Sequence, residues 1–190
     1  MPALEQGFTL PEVMLAMTFG SLIALAAAKA LPVLRLQTAD AGRHYRLELV
    51  LRQLAFGIEK DLRRAGFCAG QCQGQAFLIG NAEGEVPNSC VIVAYDLNQN
   101  GRWENSGDAE YFAYRLRAGA LEGQRGVTHC RGNGWERLHD PEEVRINTFS
   151  ISETAGHDGK SLVLFSLGGR SSVREDIQQR LEWVVSMEAL

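Results

Sequence analysis

The side chains with chemistry to offer in this sequence are four cysteines, four histidines and one loop rich in oxygen donors. Cys68, Cys72, Cys90 and Cys130 make an even number of thiols, all C-terminal to a long apolar run, which suits disulfide bonding in an oxidising compartment. A structural zinc site calls for two short cysteine pairs, and only Cys68 and Cys72 lie close together. Four cysteines permit three pairings. The closeness of Cys68 to Cys72 favours that pair, which leaves Cys90 with Cys130.

In Asp96-Leu97-Asn98-Gln99-Asn100-Gly101-Arg102-Trp103-Glu104, oxygen side chains stand at the first, third, fifth and ninth positions and glycine at the sixth, the spacing of an EF-hand calcium loop. The closing position, where a bidentate glutamate belongs, is Gly107, with Asp108 and Glu110 as the nearest substitutes. The same residues read as a hairpin turning at Asn100-Gly101. A metal-free hairpin is the expectation, with Asp96, Asn98, Asn100 and Glu104 as the calcium alternative, and no cofactor is expected.

His44, His129, His139 and His157 are scattered, no serine occupies a Gly-x-Ser-x-Gly turn, and no glycine-rich phosphate loop is present. No catalytic constellation assembles, so an enzyme is not expected. The net charge of −4 is spread without a basic block and offers nucleic acid no electrostatic footprint. With 45% hydrophobic and 22% charged residues the chain reads as folded rather than disordered.

The elements that must position these groups begin with an apolar run from Phe8 to Ala28, FTLPEVMLAMTFGSLIALAAA, which as a helix spans about 30 Å, the thickness of bilayer hydrocarbon. A secretory signal peptide would open on a cationic stretch, and the preceding MPALEQG contains neither Lys nor Arg. One carboxylate, Glu12, interrupts the run. A charge in hydrocarbon is costly unless paired and marks a function by default, the alternative being a glutamate that snorkels to the headgroups. After Pro32 a helical period continues through Leu47, Leu51, Leu54, Ile58, Leu62 and Ala65, with Arg46, Gln53, Glu59, Lys60, Arg63 and Arg64 opposite. The reading is a membrane segment over 8–34 and an amphipathic extension over 35–66.

From residue 67 to 190 the composition changes to glycine clusters and short β-like runs: Cys90–Tyr95, Glu110–Leu116, Arg145–Ile151, Leu162–Leu167 and Leu181–Met187. In the last run Leu181, Trp183, Val185 and Met187 share one face. One long helix followed by an antiparallel sheet is an α+β chain.

The run Gly7-Phe8-Thr9-Leu10-Pro11-Glu12, opening a membrane-length helix, resembles the leader of type IV prepilins and type II secretion pseudopilins. The resemblance implies a leader over 1–7 clipped by prepilin peptidase after Gly7, N-methylation of the new terminus Phe8, and pairing of Glu12 with a neighbouring subunit's α-amino group on Phe8 during assembly. It also implies the pilin fold, with the sheet packed on the amphipathic half of the helix. Asp61-Leu62-Arg63-Arg64-Ala65-Gly66, the strand Tyr111–Leu116 followed by Leu121, and Trp135-Glu136-Arg137-Leu138 before Val144 resemble the minor pilin group related to the J pseudopilin, which includes prepilin peptidase-dependent protein B.

The function so implied is that of a minor pilin taking part in the initiation of type IV pilus assembly, the alternative being a J-type minor pseudopilin of a type II secretion system. Its partners would be other minor pilins or pseudopilins, the major subunit, prepilin peptidase and the inner membrane. The chain would cross that membrane once, with its C-terminal domain in the periplasm and the pilus tip as one destination. Lys29 and Arg35 follow the apolar run Phe8–Ala28, against the positive-inside rule, so this orientation rests on the resemblance and the cysteines.

Overall fold

The computed structural model describes residues 7–155 and 161–187; residues 1–6 of the expected leader, and His157, lie outside the described residues. The chain divides into two compact units, Met1–Gly42 and Arg43–Leu190. Helix α1, Leu10–Arg64, runs from the first into the second.

In the first unit α1 is long and apolar enough to cross a membrane, with an 18-residue window of mean hydropathy 1.8, none of it buried. Its hydroxyls are satisfied within the helix: Thr18 Oγ1 donates to the Leu15 carbonyl at 2.8 Å and Ser21 Oγ to the Thr18 carbonyl at 2.8 Å. Such back-bonding leaves few polar groups in need of water. Pro32 lies inside the helix and brings no N–H for the carbonyl one turn before it, yet the helix continues beyond.

In the second unit Leu47, Val50, Leu51, Leu54, Ala55, Ile58 and Leu62 are buried at helical three- and four-residue spacing. On the outer face Glu48–Arg52 and Glu59–Arg63 form ion pairs one turn apart. Gly66, at φ +86°, ends the helix in the left-handed conformation open to glycine, and its N–H donates to the Ala94 carbonyl at 2.9 Å. The helix terminus is thereby tied to the first sheet.

The strands are β1 (Phe77–Gly80), β2 (Cys90–Ala94), β3 (Tyr111–Arg117), β4 (Ala120–Arg125), β5 (Glu136–Arg137), β6 (Val144–Ala155), β7 (Ser161–Ser171) and β8 (Gln178–Ser186). They form two antiparallel meanders, β1 to β5 and β6 to β8, where the sequence suggested a single sheet. The five expected strands are all present, with ends shifted by a few residues. β1, β4 and β5 are additional. β4, with the composition ALEGQR, has few β-formers and is held instead by its register on β3 across a two-residue turn, Ala118-Gly119, in which both residues have positive φ.

The main core joins the α1 stripe to Val91, Val93, Leu116 and Leu121 of the first sheet and to Val144, Ile146, Phe149, Val163, Phe165 and Val185 of the second. A smaller cluster of Cys90, Ile92, Ala94, Tyr111, Ala113 and Cys130 fills the other face of the first sheet, with Trp103 and Trp135 against it. β2 is therefore buried on both faces, which explains why it reads as an unbroken apolar run rather than an alternating one. Backbone bonds stitch the sheets together: Ile146 N–H to the Gly119 carbonyl and Ile151 N–H to the Asn88 carbonyl, at 2.9 and 3.0 Å.

Candidate functional site

The start of α1 is set by its own sequence. Thr9-Leu10-Pro11-Glu12 has the spacing of a capping box, and Glu12 Oε2 accepts from Thr9 N–H at 2.9 Å and Thr9 Oγ1 at 2.8 Å. Pro11 sits in the first turn, where its missing N–H would have no helical partner anyway. Glu12 also lies at the positive end of the helix dipole. Phe8 is 86% exposed. A Cβ added to Gly7 would meet nothing within 4 Å, and its backbone is outside the left-handed region, so nothing in the described fold demands glycine there.

The four cysteines are joined as Cys68–Cys72 in the loop after α1 and Cys90–Cys130 between β2 and the β4–β5 connection. No free cysteine remains for zinc among the described residues. Gly80, register partner of Cys90, has a reason to be glycine, since a Cβ there would lie 2.9 Å from Cys130 Sγ.

Asp96, Asn98, Asn100 and Glu104 come together in the long connection between β2 and β3. The flanking strands pair antiparallel as a hairpin, but Asn100-Gly101 is not its two-residue turn, because β2 stops at Ala94 and β3 starts at Tyr111. The Asp96 carboxylate, 1% exposed, instead organises the loop. Its Oδ1 accepts from Asn100 N–H at 3.0 Å, and its Oδ2 from Gly101 N–H at 2.8 Å and Ala69 N–H at 3.0 Å. Burial pushes the Asp96 carboxyl up, but the amides of Ala69, Gly101, Asn100 and Gln99 together hold it below its ordinary value. Asn98 and Asn100 donate their side-chain amides to Glu104 at 3.3 and 3.0 Å.

Asp61 is a group that the sequence reading did not single out as a site. It occupies a core position on the α1 stripe, 2% exposed, and accepts from Tyr114 Oη at 2.6 Å and Tyr95 Oη at 3.1 Å, with Lys60 Nζ at 3.4 Å. Burial, then the Asp61 charge, pushes the Tyr95 phenol up to about 12, and burial and the same charge raise Tyr114. The available signal was an acidic residue falling in register with Leu54, Ile58 and Leu62. A second internal pair, Arg115 with Glu122 at 2.8 Å, stacks its guanidinium over Trp135 at 4.1 Å and donates to the Cys130 carbonyl at 2.9 Å. That arrangement holds the connection carrying Cys130 against β3.

The sequence pattern of the family described as Prepilin peptidase-dependent protein B matches residues 40–187. This chain belongs to that family. Prepilin peptidase-dependent protein B of Escherichia coli (strain K12) is 36% identical over 154 residues, covering 80% of this chain and 79% of that protein. An uncharacterized protein of Haemophilus influenzae (strain ATCC 51907 / DSM 11121 / KW20 / Rd) is 38% identical over a stretch covering 30% of each. No solved structure matches the chain. The family match spans the amphipathic half of α1, Asp61, both disulfides and the Asp96 loop, whereas Gly7, Phe8 and Glu12 precede it.

Proposed function

We infer that this member of the prepilin peptidase-dependent protein B family is a minor pilin, anchored in the inner membrane by α1, that takes part in initiating type IV pilus assembly and is not an enzyme. The observation that carries the reading is the Gly7–Glu12 segment. Gly7 has no task in the described fold, while the only ionisable side chain between Phe8 and Ala28 is Glu12.

A glycine without a structural duty suits a peptidase that must approach the backbone closely at the bond after it. Cleavage there frees the α-amine of Phe8, which is then N-methylated. Glu12, answered among the described residues only by Thr9 at its own helix end, carries its charge into hydrocarbon when subunits pack. A neighbour's Phe8 amine supplies the opposite charge at that depth, and this pairing sets the axial register. The C-terminal domain stands in the periplasm, where its two disulfides persist, and meets other minor pilins and the major subunit.

An initiator governs how many fibres start, whereas the major subunit governs how the fibre packs. Deleting the protein should lower the number of fibres seen by electron microscopy and leave their diameter unchanged. Gly7→Val should leave the uncleaved precursor in the membrane. Normal fibre counts in the deletion strain, or the protein found along the fibre at major-subunit stoichiometry, would refute the initiator role.

A further inference from the structure

The metal-free reading of the Asp96 loop rested on Gly107 at the closing position of the calcium spacing. The fold brings a carboxylate to the loop from outside that spacing. Glu110, immediately before β3, is 0% exposed. Its Oε1 accepts from the backbone N–H groups of Leu97 at 2.6 Å and Asn98 at 3.1 Å, and its own N–H donates to the Glu104 carbonyl at 2.7 Å. The side chain is thereby held against the first turn of the loop. Its other oxygen, Oε2, is buried and has no hydrogen-bond partner among the described residues.

A buried carboxylate oxygen without a donor is expensive, and native folds rarely leave one unexplained. No N–H or O–H among the described residues reaches Oε2, but a cation seated in the loop would satisfy it. The other side chains gathered there are the carboxylates of Asp96 and Glu104 and the amides of Asn98 and Asn100. The Asn98 and Asn100 oxygens each accept one backbone N–H, from Asn100 and Arg102 at 3.0 Å, and keep a second lone pair. Gly101, at φ +79°, supplies the sharp turn at the sixth position.

We propose that the loop between β2 and β3 binds one Ca²⁺ ion through Asp96, Asn98, Asn100 and Glu104, with the buried Glu110 as the carboxylate that replaces the missing closing residue. The chemistry of the donors selects the metal. All are hard oxygens, which excludes the thiolate and imidazole preferences of zinc or copper. A loop of mixed carboxylates and amides accommodates the irregular six- to eight-fold shell of Ca²⁺ more readily than the strict octahedron of Mg²⁺. Asp96 also has the Sγ atoms of Cys68 and Cys72 within 4.8 Å, but those sulfurs are joined to each other and offer no thiolate.

The ion would act beyond its own loop. Asp96 bonds the Ala69 amide, Trp103 Nε1 donates to the Phe67 carbonyl at 3.1 Å, and Gly70 packs so closely on Gly101 that a Cβ on Gly70 would come within 2.9 Å of the Gly101 Cα. Ordering residues 95–110 therefore also orders the disulfide-closed loop that follows α1.

The test uses the full chain in detergent micelles, stripped with EDTA and titrated with CaCl₂ alone, with thermal unfolding followed by tryptophan fluorescence. At about 100 times its Kd, Ca²⁺ should raise Tm by about 5–10 °C, and Mg²⁺ at the same concentration should do markedly less. Glu110→Gln and Glu104→Gln should each weaken Ca²⁺ binding about tenfold or more, whereas Asp108→Asn, on an exposed residue, should leave it unchanged. Equal Tm in excess CaCl₂ and in EDTA would overturn the site. An equal response to Mg²⁺ would overturn its assignment to calcium. Should Glu110→Gln fail to fold, the partly exposed Glu104 decides, and a Glu104→Gln chain that keeps the full calcium response refutes the proposal.

Discussion

Helix α1 carries one carboxylate in its apolar run, Glu12, and one on its buried stripe, Asp61, and the chain answers them differently. Asp61 is finished inside the fold: the hydroxyls of Tyr114 on β3 and of Tyr95 just after β2, with a lysine, surround it, and almost no water reaches it. Among the described residues Glu12 is answered only by Thr9 at its own helix terminus, and the apolar side chains around it, such as Leu10, Val13 and Met14, are exposed. A carboxylate that the protein completes serves its own stability. One left among exposed apolar side chains is, in the function proposed above, completed by a bilayer and by another chain.

The largest effect expected from that contrast is on assembly. Glu12→Val should be processed normally and leave the melting of the C-terminal domain unchanged, yet fail to enter fibres, measured by co-purification with other minor subunits and by fibre counts. A melting temperature that fell with Glu12→Val would break the contrast, because the side chain would then be part of the folded domain's own stability.

Asp61→Ala should act the other way round. It leaves two phenol hydroxyls without their acceptor in a tightly packed site, and the loss of hydrogen bonds to a charged group should cost about 2–4 kcal/mol, or a fall in Tm of about 5–15 °C for a domain of this size. Differential scanning calorimetry gives the value. A Tm within a degree or so of wild type would mean that the carboxylate is not integral to the fold.

The smallest effect is a pH dependence that sharpens the picture of Asp61. Because the folded state raises the Tyr95 phenol to about 12 from an ordinary 10.0, the neutral form is favoured in the fold. The stability it contributes is complete below pH 10 and falls as pH rises from there towards 12. Absorbance titration of the phenolates should show Tyr95 ionising late. Asp61→Asn should bring it part of the way down, since burial, the larger cause, remains. A Tyr95 that titrates normally in the native chain would show that the buried tyrosine–aspartate cluster opens in solution.

Much of the fold was legible from local pattern. The apolar run, the helical period from Leu47 to Ala65 and the β-branched strands each announce themselves over a few residues, because burying one face imposes a repeat on the sequence. The strands that escaped notice lack such a repeat. β4 contains Glu, Gly and Gln and exists because Ala118-Gly119 folds it back on β3, while the conspicuous Asn100-Gly101 pair serves a loop rather than a tight turn. Local signals at those two places pointed the wrong way, since pairing energy comes from a neighbour distant in sequence.

The N-terminal segment was determined by the sequence by itself. A capping box, a membrane-length apolar stretch and a lone carboxylate involve only residues within a few positions of each other, and helical geometry does the rest. Only the tertiary structure decided the surroundings of Asp61 and Glu110. Asp61 meets Tyr114 across a sequence separation of 53 residues, and Glu110 meets the amides of Leu97 and Asn98 because β2 and β3 pair on either side of the loop. No spacing rule reaches such contacts: the groups that complete a buried charge are chosen by which surfaces the core brings together, and that is settled by packing along the whole chain.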